Sequence, residues 1–373
     1  MPFFLKHHFD PDWDPAKLKP EEQADGSVDH HERQFVKNVS AGDLVAEWLP
    51  VEEAGGDLDE RFVFEEKAFP AGKGTGIRRE FPDKLFAAVD GYVCYKEGRI
   101  LVRNPLTVHS DIDYHTGNVD FVGGVVVEGS VRTGFSIEAA DDVRVNDQIE
   151  GATVTARGNL VCRGGVKGGK EALLRASRDM RLAFCEYATL LAGGDIFVKG
   201  ALMHSDAYAG KRLAVGGRLT GGNICAYSYI YVGGQLGGGM DTDTSLILGY
   251  QPGLLYADQR YNQRIKVLHE DIAFFEKALN RGDEFRAEYG PRLESARNEL
   301  ELLKDMKVEL WNGIYATERL DDCRVLAPGV VRPGVEICIG SAYYRVDDFL
   351  EDVFFYYDNG EVKIGASAGK MKK

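Results

Sequence analysis

Residues 117–239 hold 24 of the chain's 44 glycines and not one proline, all twelve prolines lying at or before Pro105 or from Pro252 onward. Proline lacks the donor that an interior strand needs, so its exclusion from this stretch points to uninterrupted main-chain pairing. One phrase recurs here: a turn of Gly, Asp or Asn, then two or three apolar residues. Examples are Gly117-Asn118-Val119, Asp141-Asp142-Val143, Gly158-Asn159-Leu160, Gly194-Asp195-Ile196 and Lys211-Arg212-Leu213. With Met180 included, the strands start at 119, 143, 160, 180, 196 and 213, in steps of 24, 17, 20, 16 and 17. Short strands repeated at this period predict a solenoid, in which no coil can bury its own inner face and each covers the one before. Val143, Val145, Ile149 and Val154 are expected to point inward, covered by Leu160 and Val166 of the next coil ~4.8 Å along the axis. The predicted corners are Gly117, Asn118, Gly158, Asn159, Gly194 and Asp195, residue types suited to turns of positive φ. Six or seven coils would make a rod about 30 Å long.

The flanks read differently. Residues 1–30 are polar and carry Pro2, Pro11, Pro15 and Pro20, which predicts a loosely ordered arm. Residues 31–116 alternate in short runs separated by Asp90-Gly91 and Glu97-Gly98, a small β-rich domain. The solenoid is assigned to 117–250. In 251–318 the period changes: Tyr261, Ile265, Leu268, Ile272, Phe275 and Leu279 are spaced as a heptad seam, and Leu293, Ala296, Leu300, Leu303 and Leu310 resume it. An antiparallel coiled-coil hairpin follows, with a first helix from Gly253 to Arg281, ~40 Å long, and a tip at 282–291 marked by Gly282 and Gly290-Pro291. Residues 319–366, with the turn Asn359-Gly360, are expected to cap an open end of the solenoid. Residues 367–373 form a short basic tail, with Lys370, Lys372 and Lys373 solvated.

Bulk properties exclude several classes. A 373-residue chain with 44% hydrophobic residues suits two or three folded units. The net charge of −14 repels phosphate backbones and anionic membranes, so neither nucleic acid nor membrane insertion is expected. Cys94, Cys162, Cys185, Cys225, Cys323 and Cys338 form no CxxC pair and read as reduced core thiols, without a zinc site or disulfide framework. The first ten residues lack a secretory pattern and no 18-residue apolar run exists, which predicts a cytoplasmic protein.

Chemistry-bearing patterns are weak. Gly164 to Lys170 (GGVKGGK) has the spacing of a phosphate-binding loop, but Glu171 stands where magnesium chemistry needs Ser or Thr, and the segment falls inside the repeat. Gly72, Gly74 and Gly76 read as a flexible turn. His204-Ser205-Asp206 offers the residue types of a relay, yet neighbours on a strand point to opposite faces. His204 nevertheless carries the alternative reading, an acyltransferase or sugar-modifying enzyme of the hexapeptide type, because apolar steps approach six at 143, 149, 154, 160 and 166; the hexads are read as failing after 166. Asp241 and Asp243 lack the bidentate Glu of a calcium loop. His7-His8 and His30-His31 read as solvated pairs. No catalytic, cofactor-binding or metal-binding residue is assigned, and the chain is expected not to be an enzyme.

The chain resembles the flagellar assembly protein A family over about residues 30 to 345. The resemblance rests on His31-Glu32-Arg33-Gln34-Phe35-Val36-Lys37, Asp90-Gly91-Tyr92-Val93 and the run Tyr114-His115-Thr116-Gly117-Asn118-Val119-Asp120-Phe121-Val122-Gly123. It continues with Val127-Glu128-Gly129-Ser130-Val131, Gly134-Phe135, Ile149-Glu150-Gly151-Ala152, His204-Ser205 and Gly221-Gly222. It implies a mainly β fold, a single-stranded right-handed parallel β-helix similar to those of bactofilins and the septum-site protein C-terminal domain. The implied role is a non-catalytic scaffold or polymer-forming protein in flagellar assembly or placement. Its expected partners are proteins, flagellar or polar-localisation components among them, and self-association is left open.

Overall fold

The computed structural model describes residues 2–12, 21–22, 28–29, 37–55, 58–238, 242–280, 282 and 285–366. His30-His31, most of the run 31–37, Asp241 and the tail 367–373 lie outside these residues. The chain divides into two compact units, Met1–Thr189 and Leu190–Lys373.

The first unit opens with an antiparallel sheet in the order Val63–Phe64, Phe3–His7, Leu44–Pro50, Phe81–Ala87, Thr75–Arg78. Phe3–His7 therefore does not belong to a loose arm. Its alternation places Leu5 in a core with Val45, Trp48, Phe62 and Leu85, and burying these side chains outweighs the local proline signal. The His pair is likewise structural rather than solvated. His7 packs among Phe9, Phe62 and Tyr95, and His8 Nε2 lies 3.2 Å from Glu47. A second sheet joins Asn38–Val39, Gly91–Lys96 and Arg99–Arg103.

The solenoid strands of this unit stack in parallel on three faces. On one, Leu106, Val125, Val143, Leu160 and Met180 are successive partners; on another, Val119, Ile137, Val154 and Leu174. The third holds Ile112, Val131, Ile149 and Val166. Val143, Val145, Ile149, Val154, Leu160 and Val166 are fully buried, as their alternation requires. Two boundaries differ from expectation. Coiling starts at Leu106, not at 117, because the first coil carries isolated apolar residues in a polar run and lacks the turn phrase. Val119 lies on a different face from Val143, so the apparent step of 24 joins two faces; its own partner is Ile137.

The second unit is likewise built of three-strand coils. Ile196, Leu213, Ile230 and Val325 stack on one face, Leu202, Leu219, Leu236 and Val331 on the next, and Ala207, Ile224, Leu246 and Ile337 on the third. The near-six spacing is interrupted after 166, as expected, but it resumes at 196, 202, 207, 213, 219, 224, 230 and 236. Between Thr244–Leu248 and Arg324–Val331 two helices are inserted, Pro252–Leu279 and Arg286–Ala316. They run antiparallel, since residues 258, 262 and 264 meet 311, 307 and 299 respectively. Pro291 lies inside the second helix, so Gly290-Pro291 does not form the tip; the stacked rings of Phe275 and Tyr289 hold that turn, centroids 5.8 Å apart. The segment 319–366 is only in part a cap. Arg324–Val331 and Val335–Ile339 make one more coil, and the antiparallel strands Ala342–Arg345, Leu350–Asp358 and Glu361–Ala366 then cover it.

The seam is separate from the solenoid core: Leu268, Ala296 and Leu300 are buried together, flanked by Ile265, Ile272, Phe275 and Leu303. Leu268→Asp, which buries an unpaired charge at a cost of about 3 kcal/mol or more, is expected to remove helical circular dichroism while the β signal and its melting persist; joint loss of both would show the two to be one cooperative unit. A second expectation concerns His7, whose pKa burial pushes down to about 4, with Asp59 partly opposing and His8 adding to the shift. The unfolded chain takes up a proton near 6.5 while the folded ring stays neutral, so stability falls as pH drops from 6.5 towards 4. In melts across this window, the Tm of His7→Phe should decline less steeply than that of the native chain; parallel curves would remove His7 as the cause.

Candidate interaction site

The corners are built by side chains that reach one coil along the axis. Asn118 Oδ1 accepts from the Ser136 amide at 2.9 Å, Asp142 Oδ1 from Asn159 at 2.6 Å, Asn159 Oδ1 from Asp179 at 3.2 Å, and Asp206 Oδ1 from Asn223 at 2.9 Å. Asp195 takes the Arg212 amide at 3.1 Å and its guanidinium at 2.6 Å. Each such bond is worth about 1 kcal/mol net. Of the predicted corner residues with Gly117 (φ +73°), neither Asn118, Asn159 nor Asp195 has a positive φ. Their role is to satisfy the next coil's amide. Gly158 is required by crowding instead, for a Cβ there would lie 2.3 Å from Asp142 Oδ1. Gly194 offers its carbonyl to the Lys211 amide at 3.1 Å.

The same corner chemistry anchors the hairpin. Asp206, already holding Asn223, accepts from Gln259 Nε2 at 3.0 Å, and the Gln259 amide oxygen accepts from the buried Tyr208 hydroxyl. Burial pushes the Tyr208 phenol well up, so it remains a donor. The Tyr208 and Tyr256 rings meet edge to face at 5.2 Å. Across the pair, Asp258 accepts from Trp311 Nε1 at 2.9 Å and lies 3.6 Å from Lys307. Tyr250, its pKa pushed up to about 12 by burial and then by Glu318, donates to Glu318 at 3.1 Å. The root is therefore fixed by buried and part-buried polar bonds, not by a loose linker.

Above the root, one flank of the hairpin exposes apolar side chains: Val267 44%, Phe274 59%, Leu302 59% and Met306 39%. Val267 lies one turn from Arg264 and Leu302 one turn from Glu299, and Arg264 and Glu299 bridge the helices at 2.7 Å. All four residues consequently share that flank. The Arg264 guanidinium holds Glu299 below the usual carboxylate range. The opposite flank is tied by Arg297 to Glu276 at 2.6 Å. Of the predicted seam, Ile265, Leu268, Ile272, Phe275, Leu300 and Leu303 come together, while Leu279 is half-buried outside that cluster. The exposed apolar flank is missed by heptad reading, although each of Val267, Phe274 and Leu302 directly precedes a seam residue; such doubled apolar positions are the available signal.

The chemistry-bearing patterns are placed as follows. Ser205 Oγ donates to the Met203 carbonyl at 2.8 Å, Asp206 is committed to Asn223 and Gln259, and His204 sits at φ +47°. GGVKGGK runs into the strand Val166–Ala176, which spans two solenoid faces, with Gly169 and Lys170 at positive φ where three residues are added to the coil, rather than opening a helix. The Asp243 carbonyl accepts from the Gly222 amide at 3.1 Å. The six cysteines are free thiols; burial pushes Cys162 up to about 11 and Cys323 up to about 12, so neither is a ready nucleophile. Among the described residues, no group of three or more His, Cys, Asp and Glu is placed to hold a metal, and no helix is long and apolar enough to cross a membrane.

No curated protein and no solved structure matches the chain. Two family descriptions do: the Flagellar Assembly Protein A N-terminal region over residues 5–98, and the Flagellar Assembly Protein A beta solenoid domain over residues 104–362. Together they span the N-terminal sheets, the coils, the inserted helices and most of the capping strands, and the chain belongs to the flagellar assembly protein A family.

Proposed function

We propose that this protein serves flagellar assembly as a non-catalytic cytoplasmic scaffold, holding its helical hairpin out as a docking element for protein partners. The observation that carries this reading is the apolar flank of Val267, Phe274, Leu302 and Met306, exposed on a hairpin whose root is bonded to the solenoid. A rooted helical pair with an apolar flank suits the apolar stripe of a partner helix, laid alongside it as a third strand. The central Arg264 and Glu299 pair would fix the register of that contact.

A discrete scaffold fits better than a polymer. The last coil is covered by Leu350–Asp358 pairing with Arg324–Val331, and the first is met by Asn38, whose side chain bonds Asp120 O at 3.0 Å. Covered edges discourage end-to-end growth.

Photo-crosslinking residues placed at Phe274 and Leu302 in the native host should capture a defined flagellar component that a probe at Glu270 on the outer face does not. The double variant F274D/L302D should abolish flagellar assembly while melting as the parent does. Normal flagella in that variant would refute the hairpin reading. Acyl-group turnover abolished by His204→Ala would replace the scaffold with an enzyme.

A further inference from the structure

A cleft of about 490 Å³ in the first unit has no part in the hairpin reading. It is lined by Lys73, Tyr92, Leu101, Arg103, Pro105 and His109 together with Val102, Asn104 and Thr107. Its walls follow from strand register. Tyr92 and Arg103 are cross-strand partners, so they share the outer face of their hairpin with Leu101, while Val93 and Val102 turn into the core. Leu106 and Val108 point into the first coil, which leaves Thr107 and His109 facing the cleft. The Tyr92 ring is braced by Phe121, centroids 6.2 Å apart.

Lys73 is held there by the glycines that flank it. The Gly72 amide donates to Ile100 O at 2.9 Å and the Val102 amide to Lys73 O at 3.0 Å, so this segment lies against the neighbouring strand. Gly74, at φ +81°, could not carry a Cβ, which would fall 2.3 Å from Val102 O. The Gly72-Lys73-Gly74 run is therefore a fitted contact, not a flexible turn, and it sets a lysine on the wall of the cleft.

Charge decides the ligand. Arg132, Arg212, Arg264 and Arg297 all hold carboxylates, but among the described residues Lys73 and Arg103 form no ion pair. His109 Nδ1 is engaged by Glu128 at 3.0 Å, so the cationic side of the cleft is that of Lys73 and Arg103. Asn104 Oδ1 accepts from the Gly124 amide at 3.0 Å, which leaves its Nδ2 as a further donor. The volume lies in the ordinary range for small-ligand sites, and Leu101, Pro105 and the Tyr92 ring supply an apolar bed for a flat body. A net charge of −14 disfavours a long polyanion, whereas two neighbouring cations suit one phosphate group.

We propose that this cleft binds a nucleoside phosphate, its phosphate on Lys73 and Arg103 and its base on Tyr92. Calorimetric titration of the full chain at low ionic strength with AMP, adenosine, inorganic phosphate and a short RNA would test it. AMP should bind saturably and more tightly than adenosine or phosphate alone. Lys73→Gln and Arg103→Gln should each weaken it about tenfold without altering the melting curve, both side chains being exposed. Added salt should weaken it further. No saturable AMP binding, unchanged affinity in both variants, phosphate binding as tightly as AMP, or RNA binding more tightly than AMP would each overturn the proposal.

Discussion

The axial pairing of each coil with the next is the constraint on which the rest depends. A strand of three residues is too short to persist alone, and its side chains could not leave water. Val143 is buried because Val125 and Leu160 lie on either side of it in the same stack, and each of those in turn depends on its neighbours. Shifting one coil by a single residue would turn every inward side chain outward, so register is strongly specified by the apolar alternation. The Asx side chains add directional restraint where apolar packing cannot, at corners such as Asp142 to Asn159 to Asp179.

That arrangement also explains how a helical hairpin is tolerated. Coils ordinarily advance 17 to 20 residues between partners, yet Ile230 pairs with Val325 across the whole insertion. Loop-closure entropy grows only logarithmically with length. What matters is that the chain leaves and re-enters at a corner, so no ladder bond is lost. The helices then close their own seam, and Gln259, Asp258 and Trp311 make the junction definite.

The solenoid and hairpin were legible because each has a period that few other structures share. Val143, Leu160 and Met180 are found by their turn phrase, and Leu268, Ile272 and Phe275 by heptad spacing. The first coil was not legible: Leu106 and Ile112 stand alone between polar residues, and only their stacking on Val125 and Val131 makes them core. Phe3–His7 was hidden for a similar reason, its partner Leu44–Pro50 being distant in sequence. Corner function was misattributed because Asn favours both positive φ and side-chain acceptance, and sequence does not separate the two. The cleft and the apolar flank escaped because each is assembled from residues whose neighbours in space, not in sequence, leave them unused.

Coils that must be covered on both edges leave a particular distribution of free surface. Main-chain groups are spent within the stack, and the outward side chains of the strands, among them Asp120, Glu138, Arg144 and Arg181, face water. The edges are taken up by Asn38 beside the first coil and Leu350–Asp358 beside the last. Recognition is then favoured where the chain departs from the repeat, since paired main chain presents the same groups at every level and does not distinguish one partner from another. Two departures lie in separate units and are of opposite kinds: a water-facing apolar flank in the insertion and, beside the first coil, two cations that form no ion pair among the described residues. An apolar flank gains most from a partner that excludes water from it, and an uncompensated cation from an anion, so one molecule satisfying both is less suited than two acting independently.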